Sequence, residues 1–302
     1  MSALERIREA LRRAEASERE LTVVLKGQYR EAYELLRDSE SAGLTPAIVG
    51  PPGVGKTLLC RYYAARTGRS FYWVTMDEST RPSHLIGTFN PAVVLSRGWC
   101  IEAFEPGPLT LAMVEGGVFV ANELNRASEY TQNALLEPLE ERSYYIPHLG
   151  RVRASDGFFF VATMNPRELA GVHRLSEALR DRIHVWISLG YPDREVELEI
   201  VRANCPEYSL PDDVLDLIYR VVERTRRHEL VVKPASVRSS IAMARLVGQA
   251  LREGAYDEER FARIAFSVLS GAVRTKPGVR RDLLIKGIIS EVLRGEAGPE
   301  GR

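Results

Sequence analysis

The chain has 302 residues, with 41 basic and 41 acidic side chains, so its formal net charge is zero. A hydrophobic content of 45% and a charged content of 27% are typical of a folded globular protein and exclude an intrinsically disordered chain. The balanced charge also disfavours a protein whose main partner is a nucleic-acid backbone.

Cysteine, histidine and apolar patterns exclude further classes. Three cysteines without a CxxC spacing do not form a disulfide framework, and the five histidines lack the spacing of metal ligands. The N-terminus is too charged for a signal peptide, and no apolar run reaches the roughly 20 residues of a membrane-spanning helix. We therefore expect a cytoplasmic protein that does not associate with membranes.

The first half of the chain alternates between helical and strand patterns. Residues 1–20 carry apolar side chains at helical spacing among charges, which predicts an amphipathic N-terminal helix. A second helix is expected at about residues 29–37. "LTPAIVG" then predicts a short buried strand, "KTLLCRYYAARTG" a helix that stops at Gly68, and "SFYWVTM" a second strand.

The alternation continues and then changes. "GGVFVAN", "DGFFFVATMN" and "VWISLGY" predict strands, and "SEYTQNALLEPLEE" predicts a helix. Such alternation indicates a parallel sheet covered on both faces. Residues 195–294 are almost wholly helical in period, which predicts a separate helical subdomain. Two segments, "NPAVVLSRGWCIEAFEPG" and "SYYIPHLGRVRA", read as hairpins that turn near residues 96–98 and at residues 149–150.

A phosphate-binding loop is the strongest motif. "GPPGVGKT" matches G-x-x-x-x-G-K-[ST] between a predicted strand and a predicted helix. Its glycines allow backbone N–H groups to point at phosphate oxygens, and the helix presents its positive end to the same charge. We expect Lys56 to reach the β- and γ-phosphates and the Thr57 hydroxyl to ligate Mg²⁺. The predicted nucleotide-binding residues are Gly50, Pro51, Pro52, Gly53, Val54, Gly55, Lys56 and Thr57.

A second strand, "VFVANE", has the apolar run and polar end of a strand that lies beside such a loop. Glu123 is expected to orient and polarise the attacking water. Asn122 stands where an aspartate on the metal side belongs, and it carries no charge.

Several segments, in their order along the chain, resemble the MoxR-like, dynein-related branch of the AAA+ ATPases. They are "FEPGPL", "ANELNRAS", "QNALLEPLEE", "FVATMNP", "LSEALRDRI" and "KPASVRSS". The resemblance covers roughly residues 21–255. It implies a P-loop αβα sandwich with a parallel sheet at 21–192 and a small all-helical lid at 193–294, between the N-terminal helix at 1–20 and a tail at 295–302. The two hairpins match the family's helix-2 insert, about 88–107, and its pre-sensor-1 hairpin, about 143–154.

The same resemblance implies roles for individual residues. It places Asn165 against the γ-phosphate and the attacking water, makes Arg182 the arginine finger with Arg180 as second choice, and makes Arg238 the sensor-2 residue. With Glu123 these form the expected catalytic set. Each has a plainer alternative: Asn165 could cap a strand end, the two finger candidates could form surface ion pairs, and Arg238 could be a solvated charge.

Asn122 departs from the family pattern, in which an aspartate helps to fix Mg²⁺. Its amide oxygen can still accept a hydrogen bond from a metal-bound water. Loss of such an outer partner typically lowers metal affinity or activity by about 10–100-fold. We expect a Mg²⁺-dependent ATPase that is slow, with Thr57 and Asn122 on the metal side. A nucleotide-gated scaffold with little hydrolysis is the alternative that Asn122 supports.

The family resemblance also implies partners. It implies a homo-oligomeric ring, six subunits by family expectation, that acts as a remodelling or maturation chaperone with a partner bearing a von Willebrand factor A domain. A nucleic-acid-directed motor is the second hypothesis. Arg97, Arg151 and Arg153 lie on or beside the hairpins, and Tyr144 and Tyr145 could stack on bases. DNA-stimulated hydrolysis with a strong salt dependence would favour that hypothesis.

Overall fold

The computed structural model describes residues 22–165 and 175–295. The predicted helix at 1–20 and all but the first residue of the predicted tail lie outside the described residues. Of the helices that the structure describes, none combines the length and hydropathy that crossing a bilayer requires.

Helices and strands alternate along most of the described chain, and helices dominate its last part. As far as β5 they are α1 (Gln28–Ser41), β1 (Pro46–Val49), α2 (Lys56–Arg66), β2 (Phe71–Thr75), α3 (Pro82–Ile86), β3 (Gly87–Phe89), α4 (Pro91–Arg97), β4 (Phe104–Pro106), α5 (Pro108–Glu115) and β5 (Val118–Asn122). The middle of the chain contains α6 (Glu129–Asn133), α7 (Leu136–Glu140), β6 (Ser143–Ile146), β7 (Gly150–Arg153), β8 (Phe159–Met164), α8 (Glu177–Asp181) and β9 (Val185–Ser188). The last part contains α9 (Arg194–Asn204), α10 (Asp212–Arg227), β10 (Val231–Lys233), α11 (Val237–Arg252), α12 (Glu258–Ala272), β11 (Arg274–Thr275) and α13 (Arg281–Leu293).

The main sheet has five strands in the order β2-β5-β8-β1-β9, and every neighbouring pair is parallel. All six residues of β8 are buried, as expected for a central strand of a sheet covered on both faces. This confirms the predicted parallel sheet. Because β1, β5 and β8 run side by side, the residues that follow them meet at one edge, which is where ligands bind in open α/β sheets.

Apolar side chains form a core on each face of the sheet. One cluster packs α1 and α2 on the sheet and contains Leu36, Leu59 and Tyr63. The other face is covered by a cluster that contains Met113 and Leu135. A third cluster lies within the C-terminal helices, which confirms a helical C-terminal region. A short antiparallel ribbon of β10 and β11 interrupts these helices and was not predicted.

The prediction of the first hairpin is wrong for the segment between its two paired ends. Strands β3 and β4 pair antiparallel from Gly87 and Pro106 to Phe89 and Phe104, but α4 occupies the segment that was expected to continue the strand and turn. Asn90 caps this helix by accepting a hydrogen bond from the Ala92 N–H at 3.0 Å, and a proline holds its first position.

The second hairpin is present. Strands β6 and β7 pair antiparallel from Ser143 and Arg153 to Ile146 and Gly150, so the turn lies at residues 147–149 and not at 149–150 as predicted. The single helix predicted at "SEYTQNALLEPLEE" is instead two short helices, α6 and α7. Pro138 lacks the N–H that a continuous helix would donate to the carbonyl of Ala134.

Candidate functional site

The phosphate-binding loop connects β1 to α2. Gly53 and Gly55 adopt φ values of 82° and 93°, a left-handed conformation that favours glycine and lets the loop curl tightly. Helix α2 begins at Lys56 and has no acidic residue in its first turn, so its own side chains do not neutralise its positive end. The loop therefore presents an anion-binding geometry.

Lys56 is buried at the centre of this loop, with 7% of its surface exposed. Its ammonium donates to the Gly50 and Pro51 carbonyls at 2.7 and 2.9 Å and to Asn165 Oδ1 at 2.9 Å. Burial lowers the Lys56 pKa to about 8; Glu123 opposes this shift, and Arg238 adds to it. A bound anion would stabilise the charged ammonium, so this lysine favours an anionic ligand.

Asn122, at the end of β5, is the centre of a hydrogen-bond network. Its amide oxygen accepts from the Thr57 hydroxyl at 2.8 Å and from the Thr163 hydroxyl at 2.6 Å. Its amide nitrogen donates to the Thr75 hydroxyl at 3.0 Å. The side chain thus links the phosphate-binding loop to three adjacent strands of the sheet without carrying charge.

Glu123 has a backbone conformation that is uncommon for its residue type. Its φ of 56° is left-handed, which costs of order 1–3 kcal/mol in a residue other than glycine and tends to occur at functional sites. The Glu123 N–H donates to the Thr163 hydroxyl at 3.3 Å. Its carboxylate accepts a hydrogen bond from Arg126 at 2.7 Å, and the residue lines a cavity beside the phosphate-binding loop.

The cavity has a volume of about 260 Å³ and lies between the sheet edge and the C-terminal helices. One part is polar and is formed by the phosphate-binding loop with Asn122, Glu123, Asn165 and Arg238. The remaining walls include Val23, Val24, Tyr29, Ile200 and Ile241. A site with an apolar part and a cationic, N–H-rich part suits a ligand that joins a planar ring to a polyanion.

The C-terminal helices approach the loop closely. A Cβ added to Gly53 would lie 2.5 Å from the Ser236 hydroxyl oxygen, and one added to Gly50 would lie 1.9 Å from the Leu189 carbonyl oxygen. Both glycines are therefore required by close contacts, the first with the start of α11 and the second with the end of β9.

The two finger candidates lie away from the cavity lining. Arg182 donates to Glu140, from Nε at 3.0 Å, and to the Ala178 carbonyl at 2.9 Å. Arg180 is exposed, with its guanidinium 5.9 Å from the centre of the Trp186 ring. The structure thus brings together Lys56, Thr57, Asn122, Glu123, Asn165 and Arg238, and it separates Arg182 and Arg180 from them within one chain.

Other residues of the site were not predicted. Thr75 and Thr163 bind Asn122, Arg126 binds Glu123, and Asn125 donates to the Asn165 carbonyl at 2.9 Å. The Asn125 amide oxygen is buried, and none of the residues that the structure describes donates a hydrogen bond to it. A threonine in the apolar strand "FVATMN" was the available signal for Thr163, because a buried hydroxyl needs a partner.

The hairpin side chains differ from the expectation for base stacking. Tyr144 is 3% exposed and shares a hydrogen bond with Thr110, so it cannot stack on a nucleic-acid base. Tyr145 is exposed. Arg151 is paired with Glu137 at 3.0 Å and also donates to Ser143.

The oxygen atoms at the polar end suit Mg²⁺ delivered with a phosphate ligand. Among residues 22–165 and 175–295, no three His, Cys, Asp or Glu side chains converge to hold a metal ion. The Thr57 hydroxyl oxygen and the Asn122 amide oxygen are hard metal ligands, and they lie 2.8 Å apart. Mg²⁺ commonly combines one or two protein oxygens with substrate phosphates and waters, so this pair fits such an ion.

Part of the chain matches a known protein family. Residues 47–183 match the family AAA domain (dynein-related subfamily). The chain is 34% identical over 181 residues to the gas vesicle ATPase GvpN of Haloferax mediterranei, covering 55% of this chain and 52% of that protein. It is 37% identical over 153 residues to the chaperone MoxR1 of Mycobacterium tuberculosis, covering 50% of this chain and 38% of that protein.

A third relative is the uncharacterized protein YeaC of Bacillus subtilis, 29% identical over 216 residues, with 64% of each chain covered. The chain therefore spans between about a third and two thirds of the length of these relatives. Among solved structures, NtrX from Brucella abortus in complex with ADP superposes with a TM-score of 0.54 at 18% identity, covering 82% of this chain and 56% of that one. This likeness shows the fold. Residues 47–183 thus match an AAA domain of the dynein-related subfamily, and the chain is similar in sequence to a gas vesicle ATPase GvpN and to the chaperone MoxR1.

Proposed function

We propose that this chain binds ATP with Mg²⁺ between its core and its helical lid, hydrolyses the nucleotide, and uses the reaction in a homo-oligomeric ring that remodels or matures a partner protein complex. The observation that carries the proposal is the convergence of Lys56, Glu123, Asn165 and Arg238 on one cavity. The domain boundaries that we propose are a core at 21–192, with an insert at about 88–107 and a hairpin at about 143–154, and a lid at 193–294.

ATP binding follows from the two parts of the cavity. The triphosphate would lie along the residues Gly50 to Thr57, where Lys56 meets the β- and γ-phosphates and Arg238 approaches from the lid. The adenine ring would occupy the wall that Val24, Ile200 and Ile241 help to form. Binding at this position would join the lid to the core.

Hydrolysis follows from Glu123. The carboxylate would accept a proton from a water while that water attacks the γ-phosphorus, and the bond to the oxygen of the leaving ADP would break. Arg126 donates to Glu123 Oε2 in the structure, so the carboxylate can meet the water with Oε1 while this contact is kept. Asn165 would hold the water and the γ-phosphate oxygens.

Mg²⁺ would be held by the Thr57 hydroxyl and the phosphates, with Asn122 accepting from a metal-bound water. When bound, the ion neutralises charge that develops on the phosphates. Asn122 supplies one neutral acceptor where an aspartate would supply a charged one, so we expect a weaker hold on the ion and slow turnover.

A neighbouring subunit would complete the site. Arg182, with Arg180 as second choice, lies outside its own chain's cavity lining, as a residue that acts on the next subunit would. Such a head-to-tail contact generates a closed ring when its rotation closes, and six subunits is the expected number. An arginine supplied in this way can add about 10³–10⁵ to the rate, so a dispersed subunit would be nearly inactive.

The remodelling role draws on the relatives' names. One is named a chaperone and another a gas vesicle ATPase, and both names fit work on other proteins. We propose a cytoplasmic ring with a client complex and a partner that carries a von Willebrand factor A domain. Hydrolysis measured with such a partner and with duplex DNA tests this role. Stimulation of hydrolysis by the partner protein but not by DNA supports the remodelling role. Salt-sensitive stimulation by DNA but not by the protein would instead indicate a nucleic-acid motor.

A further inference from the structure

A buried ion pair lies in the lid beside the cavity. Arg226 on α10 donates to the two carboxylate oxygens of Glu197 on α9 at 2.6 and 3.0 Å. The Glu197 side chain has no exposed surface, and that of Arg226 is 9% exposed. Removing two charges from water is costly, and well-packed apolar residues often stabilise a fold as much or more. This pair therefore suggests a role in setting geometry.

Ser240 connects the ion pair to the nucleotide cavity. Its hydroxyl donates to Glu197 Oε1 at 2.5 Å, and Ser240 is 1% exposed. It belongs to the first turns of α11, two residues after Arg238, which lines the cavity. The directed hydrogen bond from Ser240 to a fixed carboxylate adds to the packing of α11 in setting the rotation of this helix about its axis, and hence the position of Arg238.

The ion pair also reaches the segment between β9 and α9. The Arg226 guanidinium lies 4.2 Å from the centre of the Tyr191 ring, and its Nε donates to the Ala235 carbonyl, just before α11, at 3.3 Å. The Gln28 side-chain amide donates to the Gly190 and Tyr191 carbonyls at 3.2 and 3.1 Å. Arg226 thus contacts both the start of the nucleotide-facing helix and the connection between the core and the lid.

Helix α1 also contacts the phosphate-binding loop. Tyr29, next to Gln28 in α1, donates its phenol hydrogen to the Val54 carbonyl at 2.9 Å. Burial raises the Tyr29 pKa, and the nearby Glu197 charge raises it further, so the phenol keeps its proton. A continuous set of contacts therefore runs from Val54 through Tyr29, Gln28, Tyr191 and Arg226 to Glu197 and Ser240.

We propose that Glu197, Arg226 and Ser240 are positioning residues that hold Arg238 against the nucleotide phosphates and couple the lid to the phosphate-binding loop. This inference rests on the proposed function, because Arg238 is taken to contact bound ATP. It adds a specific route by which nucleotide binding at the loop is transmitted to the lid helices.

A double-mutant cycle tests this role. Ser240→Ala removes one hydroxyl and leaves the ion pair in place. We expect it to weaken ATP binding by about 5–10-fold when Arg238 is present and by less than about twofold in an Arg238→Ala chain, because coupled residues are not additive. Binding is measured by calorimetry with every protein carrying Glu123→Gln, so that ATP is not consumed. Ser239→Ala is the matched control, since Ser239 precedes Ser240 in α11 and does not bind Glu197; it should change affinity by less than about twofold.

Arg226→Lys supplies a second variant. Lysine keeps the charge but cannot donate two parallel hydrogen bonds or reach the Ala235 carbonyl from Nε. It should weaken ATP binding to a similar degree, again only when Arg238 is present. Thermal unfolding of each variant identifies a chain that fails to fold. If Arg226→Lys fails to fold, Ser240→Ala alone tests the positioning role.

The outcomes separate the two proposals. If the parent chain binds ATP and Arg238→Ala weakens binding, but Ser240→Ala has no effect or the same effect in both backgrounds, the positioning role is wrong and the proposed function stands. If the parent chain does not bind ATP at all, both are overturned.

Discussion

The Thr57 hydroxyl donates a 2.8 Å hydrogen bond to the amide oxygen of Asn122. In a nucleotide-bound state the same hydroxyl is expected to turn toward Mg²⁺. Asn122 would then retain its bonds to Thr163 and Thr75, so its amide would stay in place while its oxygen gains room for a metal-bound water. This pair of residues therefore sets how strongly the site holds the ion.

Asn122→Asp should lower the Mg²⁺ concentration that half-saturates ATP hydrolysis, by about tenfold. A carboxylate adds a charge and a second acceptor beside the ion, and outer-shell partners are typically worth about 10–100-fold. The measurement is steady-state phosphate release across a Mg²⁺ titration at fixed ATP. Thr75→Val is the control, because it removes a partner of the Asn122 amide nitrogen and leaves the oxygen unchanged. An equal Mg²⁺ requirement in Asn122→Asp and wild type would show that residue 122 does not act on the ion.

ATP affinity should fall as the pH rises above about 8. The Lys56 pKa is lowered to about 8 by burial, so the free protein loses this charge above that pH, and ATP binding must then take up a proton. Well above pH 8, ATP affinity should fall by nearly tenfold per pH unit. Calorimetry with Glu123→Gln chains from pH 7 to 9.5 measures it.

The same pKa predicts an opposite trend for stability. An unfolded chain holds the Lys56 proton up to the ordinary lysine pKa of 10.5, whereas the folded chain releases it near 8. The unfolded state therefore binds more protons between these values, and the contribution of Lys56 to the free energy of unfolding rises with pH there. Lys56→Met should remove both trends; an unchanged pH profile of ATP affinity in that variant would assign the titration to another group.

Mixing two inactive variants should restore hydrolysis. Arg182→Ala keeps Glu123, and Glu123→Gln keeps Arg182, so a mixed ring contains some interfaces with both residues intact. In a random equal mixture about a quarter of the interfaces qualify, and the rate should approach that share of the wild-type rate. Glu140→Gln, which weakens one of the contacts that Arg182 makes within its own chain, should retain activity.

Failure to complement would exclude Arg182 as a residue supplied by the neighbouring subunit. The same mixture made with Arg180→Ala then tests the second choice. If Arg182→Ala alone retains full activity while Arg180→Ala loses it, the order of the two assignments is reversed.

Gly50→Ala should destabilise the protein by about 1–3 kcal/mol, because the new methyl group would lie 1.9 Å from the Leu189 carbonyl oxygen. Thermal unfolding should show a lower midpoint. Gly287→Ala provides the opposite case, since Gly287 lies within α13 and no other part of the described structure, apart from the helix's own backbone, comes within 4 Å of the added carbon. Alanine there should stabilise by about 0.5–1 kcal/mol. A Gly50→Ala midpoint at or above that of wild type would contradict the close contact.

The sheet and the phosphate-binding loop could be predicted because their signals are local. Lys56 and Thr57 are fixed by an eight-residue motif, and strands such as β5 are continuous apolar runs. Helix α4 was missed because its Val-Val-Leu run favours a strand, whereas the decisive features are the Asn90 cap and the proline that follows it.

Contacts between distant segments outside the recognised motifs could not be predicted. Thr163 lies 41 residues from Asn122, and a threonine within a strand rarely indicates a site. Glu197 and Arg226 lie on two amphipathic helices, where charged residues usually face solvent, and no local pattern shows that these two face inward. Such pairings depend on how helices pack, which sequence spacing alone does not define.

ATP hydrolysis by an assembled ring is tested most directly by a steady-state assay of the purified chain. Protein concentrations run from dispersed subunits to assembled rings, and the Glu123→Gln variant is measured in parallel. We expect slow Mg²⁺-dependent phosphate release that rises more steeply than protein concentration and is lowered at least about 100-fold by Glu123→Gln. Equal rates for wild type and Glu123→Gln at every concentration would contradict this expectation.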